Sequence, residues 1–220
     1  MQVTFLGTGA AGPSKYRNVT GIYLDLFARG GLLLDAGEGS YGQLVRRFGQ
    51  RGAEAAVAGL RCVWISHMHA DHHVGLPQIL SVRRRLLGGA CPPLVVVGPR
   101  PLRRTLDNLN AVERLNYHFV DHYLTVPGGE ALVQYPKWLD PPAENRRARE
   151  ALEGVKAALG LTELESVEVE HSCKFSFAAV LTSADGWKLA FSGDTRPCAA
   201  FVERARGATV LIHEATFEDG

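Results

Sequence analysis

The sequence predicts an α/β protein in which helices cover layered sheets of antiparallel or mixed strands. Short apolar runs typical of strands are mixed with stretches of helical spacing along the whole chain. Hairpin signals such as Gly30-Gly31 interrupt this alternation, so a strict βαβ repeat is not expected. Neither GxGxxG nor a P-loop motif occurs, which excludes the glycine-rich loops of dinucleotide and nucleotide triphosphate sites.

The first half of the chain is predicted from the apolar content of its strands and the spacing of its helices. In chain order, we predict a strand at 3–6, strands at 21–27 and 32–35, a helix at 38–48, a strand at 61–66, a helix at 74–87, a strand at 94–97 and a helix at 102–109. The run RCVWIS at 61–66 is rich in residues that favour strands and stops at a cluster of histidines. The helix at 38–48 places Tyr41, Leu44 and Phe48 three or four residues apart.

The second half contains the same mixture of elements. In chain order, we predict a strand at 117–126, a loop at 137–142, a helix at 144–159, strands at 167–170, 176–182 and 188–192, a helix at 196–206 and a strand at 209–213. Asp185-Gly186 marks a turn between the second and third of these strands. Because no repeat, low-complexity tract or linker is found, we expect residues 1–220 to form a single domain.

Composition and charge exclude several classes of protein. Hydrophobic residues make up 46% and charged residues 21%, which excludes collagen-like, coiled-coil and wholly disordered chains. The formal net charge of +1 creates no general field for nucleic acid, so RNA binding would need a local patch. Four cysteines without a CxxC pair, no secretory signal and no membrane-spanning run predict an intracellular protein that does not enter a membrane.

The most informative segment is 66–73, with the sequence SHMHADHH, which follows a predicted strand. His67 and His69 lie two residues apart, so in an extended turn their imidazoles converge on one cation. Asp71 and His72 can then face a second cation. Imidazole and carboxylate ligands predict zinc, with Mn²⁺ or Fe²⁺ as substitutes. A solvated histidine tract is the alternative, but such tracts are usually terminal, whereas this segment is internal and flanked by apolar elements.

At this point the chain resembles a known family. HMHADHH resembles the HxHxDH motif of hydrolases with the metallo-β-lactamase fold, and further segments resemble ribonuclease Z, the tRNA 3′-processing endonuclease. These segments are FLGTG at 5–9, PSKYRN at 13–18, LLDAGEGSYGQL at 33–44, SGDT at 192–195 and HEAT at 213–216. The resemblance extends over residues 1–220 and is closest to the C-terminal catalytic half of the long, two-lobed form. It implies the metallo-β-lactamase fold, an αββα sandwich of two mixed sheets flanked by helices.

The resemblance also implies two zinc ions that share a carboxylate. His67, His69 and His171 would hold the first ion, Asp71 and His72 the second, and Asp194 would bridge them. Taken alone, a single histidine such as His171 is more often a satisfied polar residue, and Asp194 in Gly-Asp-Thr could form an Asx turn. The segment after His171 is also about one residue longer than the family pattern.

The implied reaction is hydrolysis of a phosphodiester on the 3′ side of the tRNA body, which removes the trailer of precursor tRNA. Two cations that share a carboxylate can activate a water and stabilise the charge that builds on the phosphate. Asp71 would bind metal and take the proton of this water. Glu214 of HEAT would orient a histidine that protonates the leaving oxygen, although by position it could equally be an exposed carboxylate at a strand end.

Contacts to the RNA are predicted in the PSKYRN loop, where Pro13, Lys15, Arg17 and Asn18 would hold phosphates and read a 3′ end. An ordinary surface loop is the alternative on charge alone. Three arginine clusters are candidates for contact with the RNA backbone, or alternatively are solvated helix faces. They are Arg83-Arg84-Arg85, Arg103-Arg104 and Arg146-Arg147-Arg149.

The chain departs from the family in two ways that bear on activity. After HEAT the family continues with an HST segment that carries the proton-donating histidine and then with a last histidine ligand, and neither motif occurs in this chain. No glycine-rich basic arm is found either. We therefore expect a C-terminally incomplete domain (a fragment, a truncated gene model or a degenerate form) with reduced or no activity alone. Tight binding of precursor tRNA would need an N-terminal lobe or a second subunit, and the family is associated with nuclei and mitochondria.

Two other functions fit the histidine motif. One is a phosphodiesterase or other hydrolase of the same fold that acts on small molecules, against which PSKYRN and HEAT argue. The other is a metal-binding remnant without catalysis that packs against a partner lobe.

Overall fold

Two β-sheets pack face to face in the part of the chain that the computed structural model describes, residues 1–89, 91–128 and 142–216. The first sheet has the strand order β1-β2-β3-β4-β5-β6. Its strands are β1 (Gln2–Gly7), β2 (Gly21–Asp25), β3 (Gly31–Ala36), β4 (Leu60–Trp64), β5 (Leu94–Gly98) and β6 (Tyr117–Asp121). β1 to β3 pair antiparallel, whereas β3 to β6 pair parallel, so the carboxyl ends of β3 to β6 lie along one edge.

The second sheet has four strands within the described residues, in the order β10-β9-β8-β7. They are β7 (Leu161–Glu168), β8 (Phe177–Ser183), β9 (Lys188–Phe191) and β10 (Val210–Ile212). β7, β8 and β9 are antiparallel neighbours, and β10 lies parallel to β9. Both sheets are therefore mixed, as predicted.

The helices cover the outer faces of the two sheets and one flank of the space between them. They are α1 (Ser40–Ala58), the single turn α2 (Ala70–His73), α3 (Leu76–Leu87), α4 (Arg100–Val112), α5 (Pro142–Leu159) and α6 (Ala199–Ala205). None of the helices in the described ranges is long and apolar enough to cross a membrane.

The layers follow from the alternation of side chains along the strands. Trp64 points from the first sheet toward the second and packs with Phe191, with the ring centroids 6.1 Å apart. Val63 and Ile65 point the other way and pack beneath α1, α3 and α4. Phe201 of α6 packs on the outer face of the second sheet. The order of layers is helix, sheet, sheet, helix, which confirms the predicted metallo-β-lactamase fold.

Several strand boundaries differ from the sequence prediction, and two of them differ by four residues or more. The strand expected at 117–126 ends at Asp121, because the carboxylate of Asp121 accepts the N–H of Tyr123 at 3.2 Å and begins a short 3₁₀ turn, His122–Leu124. The strand expected at 167–170 already begins at Leu161. Two exposed polar residues separate the buried Leu161 and Leu164, where the register shifts, and pairing with β8 stabilises the strand.

The helices also differ at their ends. α1 continues ten residues beyond the predicted 38–48, with a break at Gly49, whose φ of 72° suits a glycine. The helix predicted at 74–87 begins at Leu76 and is preceded by α2, and the helix predicted at 196–206 is shorter. The loop predicted at 137–142 lies outside the described residues, except for Pro142, where α5 begins.

Candidate metal centre

Four side chains converge at the edge of the sandwich, each placed there by the end of a strand. His67 and His69 follow β4, His171 follows β7, and Asp194 follows β9. His69 Nδ1 lies 3.0 Å from His67 Nε2 and 3.1 Å from His171 Nε2. Asp194 Oδ2 lies 3.9 Å from His67 Nε2 and 4.0 Å from His171 Nε2. The four ligand atoms therefore lie within 4.8 Å of one another.

This donor set fits a divalent metal ion. A tetrahedral zinc ion with Zn–N bonds of about 2.0–2.1 Å has its ligand nitrogens about 3.3 Å apart, close to the spacing of these imidazoles. Burial lowers the pKa of His67 to about 2, and the neighbouring charge of His72 lowers it in the same direction. His67 is therefore neutral, and its Nε2 can offer a lone pair to a cation. Its other ring nitrogen, Nδ1, lies 2.9 Å from Ser66 Oγ, which fixes the orientation of the ring.

Asp35 is a residue of this site that the sequence analysis missed. Its carboxylate is fully buried and accepts the Ser66 N–H at 2.7 Å, the Ser66 hydroxyl at 2.8 Å and His72 Nδ1–H at 2.7 Å. Its φ of 55° is a conformation that a side chain adopts at a cost, so the surrounding contacts hold it in place. The signal in the sequence is an aspartate at the end of an apolar strand. Its closeness to the histidine motif becomes visible only in the fold.

A second group of ligands lies next to the first. His72 Nε2 is 3.4 Å from Asp194 Oδ2 and 3.6 Å from Asp71 Oδ2. Burial opposes a charge on His72, but the carboxylates of Asp35 and Asp194 outweigh it and raise its pKa to about 10. Asp194 Oδ2 thus lies within 4.0 Å of imidazole nitrogens of His72, His67 and His171, so one carboxylate oxygen is close to both groups of ligands.

Asp71 is held from an unexpected direction. Its Oδ2 accepts the backbone N–H of Ala11 at 2.8 Å, so the loop after β1 contacts the histidine motif directly. The side chain is 7% exposed. The contact restrains Oδ2, and Asp71 also lines the cavity described below.

The turn that carries Asp194 is fastened to β10 by Glu214. The Glu214 carboxylate accepts the N–H of Thr195, and the Glu214 N–H donates to Ser192 Oγ at 3.0 Å. Glu214 is half-buried, so it is not the exposed strand-end carboxylate considered as an alternative. Burial would raise the pKa of Asp194, but hydrogen bonding to His72 and the neighbouring imidazoles hold it below its usual range.

An open cavity of about 1,230 Å³ lies over the cluster. Lys174 and Arg196 line it beside the metal ligands, and so do Ala10 and Ala11 at the start of the PSKYRN loop. Of the predicted RNA-binding residues, Pro13, Lys15 and Arg17 are exposed and lie outside this lining, whereas Asn18 donates from Nδ2 to the Glu38 carbonyl at 2.9 Å. The structure therefore brings the loop to the rim of the cavity but not into it.

His122 lies behind the histidine motif in a different kind of environment. It is fully buried, with Nε2 2.7 Å from the Ile65 carbonyl and Nδ1 2.8 Å from Ser166 Oγ. Because a carbonyl only accepts, Nε2 carries the proton. Ser166 Oγ also accepts Trp64 Nε1–H at 3.1 Å. Burial lowers the pKa of His122 to about 3, so this histidine is neutral and fully hydrogen-bonded.

The arginine clusters do not line the cavity within the described residues. Arg103 pairs with Glu144 at 2.8 Å, and Arg146 pairs with Glu150 one turn along α5, as expected of solvated helix faces. Arg83 was expected at the surface, but it is buried with 4% exposure, because the side chain folds back onto the connection before β5.

Comparison with known proteins decides the family. A family model described as a β-lactamase superfamily domain matches residues 31–219. The chain belongs to this superfamily. Among similar members, tRNase Z TRZ3, mitochondrial, of Arabidopsis thaliana is 45% identical over 251 aligned residues, which cover 100% of this chain and 28% of that protein. Human zinc phosphodiesterase ELAC protein 2 is 38% identical over 226 residues, which cover 100% of this chain and 26% of that protein. The chain thus spans little more than a quarter of the length of these superfamily members.

Solved structures agree on the fold of this superfamily member. A long-form RNase Z from yeast superposes with a TM-score of 0.77 at 22% identity, covering 99% of this chain and 33% of that one. The short form of human tRNase Z superposes with a TM-score of 0.69 at 24% identity, covering 100% of this chain and 79% of that one.

Proposed function

We propose that the chain is the metal-binding catalytic part of an endoribonuclease that removes the 3′ trailer from precursor tRNA. The observation that carries this proposal is the convergence of His67, His69, His171 and Asp194, from separate stretches of both sheets, with His72 and Asp71 beside them. The names of the similar proteins, tRNase Z and zinc phosphodiesterase, support this substrate and this metal. The activity is that of a metal-dependent hydrolase.

Two zinc ions fit the arrangement best, with Mn²⁺ or Fe²⁺ as substitutes. His67, His69 and His171 would hold the first ion, Asp71 and His72 the second, and Asp194 would be shared. When bound, the ions would activate a water and stabilise the charge that develops on the phosphate. The neutral state of His67 and the closeness of Asp194 Oδ2 to both imidazole groups support this assignment.

The residues of the chain itself would orient the reaction and move its proton. Asp71 would take the proton of the attacking water through its carboxylate, which the N–H of Ala11 holds in place at Oδ2. Asp35 holds His72 through Nδ1, so that Nε2 faces the ligands, and binding of a cation there would release the proton that Nε2 otherwise carries. Glu214 keeps Asp194 in place through Thr195, and in addition it would orient a leaving-group histidine from a further segment.

The PSKYRN loop is our candidate for contact with the RNA. Lys15 and Arg17 are exposed, and the loop leaves the cavity rim at Ala11, so both cations can reach phosphates of a strand that enters the cavity. Asn18 fixes the base of the loop through Glu38, and Pro13 would stiffen it. These assignments remain predictions.

The rest of the protein is part of the same proposal. Since the chain spans 28% and 26% of two similar proteins, an N-terminal lobe or a second subunit would grip the tRNA. Residues 1–220 would act as one domain of such a protein. The Arabidopsis relatives are named mitochondrial, which supports a mitochondrial location, while the nuclear location stays a prediction.

Cleavage of a precursor tRNA tests the proposal. We expect the zinc-loaded protein, joined to the segments that its relatives contain, to cut at the 3′ end of the tRNA body. Asp71→Asn should abolish cutting, whereas Asp25→Asn, a carboxylate change in the β2–β3 hairpin, should not. Cleavage of bis(p-nitrophenyl) phosphate without cleavage of precursor tRNA would favour a small-molecule phosphodiesterase. One equivalent of zinc or none, with no cleavage of either substrate, would indicate a remnant.

A further inference from the structure

A second cavity lies at the opposite end of β4 from the metal centre. It has a volume of about 290 Å³ and is lined by Arg61 at the start of β4, Arg83 of α3, His118 of β6 and the small residues of α5 around Gly154. We propose that this cavity binds a phosphate group, either as free phosphate or as a compact phosphate monoester. The site is separate from the metal centre, because His67 follows the other end of the same strand.

Arg83 is a buried cation at the edge of this cavity. Its side chain is 4% exposed, and Nη1 donates to the Pro92 carbonyl at 2.8 Å. Its Nε is buried without a hydrogen-bond partner among the described residues. Burial lowers the pKa of Arg83, and the charge of Arg61 lowers it further. A buried guanidinium that has only the Pro92 carbonyl and the Cys91 side chain as partners, beside a cationic neighbour, is costly, and an anion in the adjoining cavity would offset that cost.

The other charged residue of the lining, Arg61, is also a cation. The side chain of Arg61 extends over the Gly30 turn, where a Cβ atom added to Gly30 would lie 3.1 Å from Arg61 Nε. Burial lowers the pKa of His118, and the charges of Arg147 and Arg103 add to this effect. No Asp or Glu belongs to the lining formed by the described residues. The cavity therefore combines a positive potential with charged donors, the conditions in which arginine binds phosphate.

The size of the cavity decides between ligands. Sites for drug-sized molecules are about 300–1,000 Å³ in volume, so this cavity is at the lower limit. Val95 and Val155 give it apolar walls, and Gly154 leaves the space that a side chain on α5 would fill. A phosphate or a small monoester fits such a volume, whereas a strand of RNA does not.

Titration of the ¹⁵N-labelled, zinc-loaded chain with inorganic phosphate, and separately with AMP, tests the proposal by NMR. We expect saturable shifts at the amides of Arg61, Val95 and His118. Arg61→Ala should weaken binding about tenfold or more, because it removes a charged donor at an exposed position. Arg85→Ala removes the same charge from an exposed position of α3 and should change the affinity less than about twofold. Shifts on α5 with AMP but not with phosphate would identify a nucleotide as the source of the phosphate.

Three results would overturn the proposal. They are shifts confined to the metal loop or absent, equal weakening by Arg61→Ala and Arg85→Ala, and equal shifts by an RNA oligomer that lacks a terminal phosphate. Arg83→Met is the second variant. If its spectrum shows the native fold, loss of phosphate shifts supports the site and unchanged binding contradicts it. If Arg83→Met does not fold, Arg61→Ala still decides.

Discussion

Two kinds of histidine site lie around the end of β4, a group of three and the single His122, and they differ in what their nitrogens face. His67, His69 and His171 point their nitrogens at one another, at 3.0 and 3.1 Å. His122 points one nitrogen at a carbonyl and the other at a hydroxyl. The first group has lone pairs that only a cation or a proton can satisfy, whereas the second is complete as it stands. Burial of a histidine therefore does not identify a ligand; the partner of each nitrogen does.

The largest expected effect is the loss of a ligand from the first group. His69→Ala should lose zinc and cleavage of precursor tRNA together, with a fall in zinc affinity greater than the roughly 10–100-fold typical of residues that only orient ligands. His73→Ala, in the same segment but outside the four-residue cluster, is the control and should keep its zinc. Retained metal stoichiometry in His69→Ala, measured by atomic emission, would contradict the assignment.

Removal of His122 should act on stability instead. His122→Ala leaves a cavity and deprives the Ile65 carbonyl and Ser166 of their partner, so we expect a loss of about 2–4 kcal/mol in the free energy of unfolding. The zinc content per folded molecule should stay unchanged. Urea denaturation followed by tryptophan fluorescence measures the first quantity. A variant of full stability that had lost zinc would reverse the comparison.

Asp35 is a residue that orients a ligand instead of binding the metal itself. Asp35→Asn weakens the contacts to His72 Nδ1 and Ser66, so zinc affinity should fall about 10–100-fold while the fold persists. Asp25→Asn in the neighbouring hairpin makes the same chemical change away from the site. Competition with a fluorescent zinc chelator measures both, and equal affinities in the two variants would remove Asp35 from the site.

The last prediction concerns the pH dependence of stability. The pKa of His122 is lowered from 6.5 to about 3 in the folded protein, so between these values the unfolded state binds a proton that the folded state does not. Stability should therefore fall as the pH falls through this window, with a contribution from His122 of up to about 1.4 kcal/mol per pH unit. His122→Gln should flatten the curve when both proteins are unfolded in chelator. Parallel curves would show that His122 does not titrate on unfolding.

Site residues could be predicted from the sequence when their ligands lie close together along the chain. The segment 66–73 places its ligands a few residues apart, so it predicts metal binding without any knowledge of the fold. His171 and Asp194 were ambiguous as isolated residues, and only the resemblance connected them to the motif; the structure brings both within 4.8 Å of it. Asp35 was missed because its role depends on the parallel pairing of β3 with β4, which sets it beside Ser66.

The start of β7 and the burial of Arg83 were predicted wrongly for a similar reason. The first part of β7 has polar residues that hide the strand, and only its partner β8 reveals it. Arg83 resembled its exposed neighbours in the sequence, yet the position of α3 against the connection before β5 buries it. Tertiary packing decided both, and no local pattern carries that information.

The four converging ligands come from both halves of the sandwich, since His67 and His69 extend from the first sheet and His171 and Asp194 from the second. A cation held among them would cross-link the two sheets. At a free concentration a thousand times its dissociation constant, such an ion adds about 4 kcal/mol to the free energy of unfolding. The supply of zinc in the cell would then set the lifetime of the folded protein as well as its chemistry.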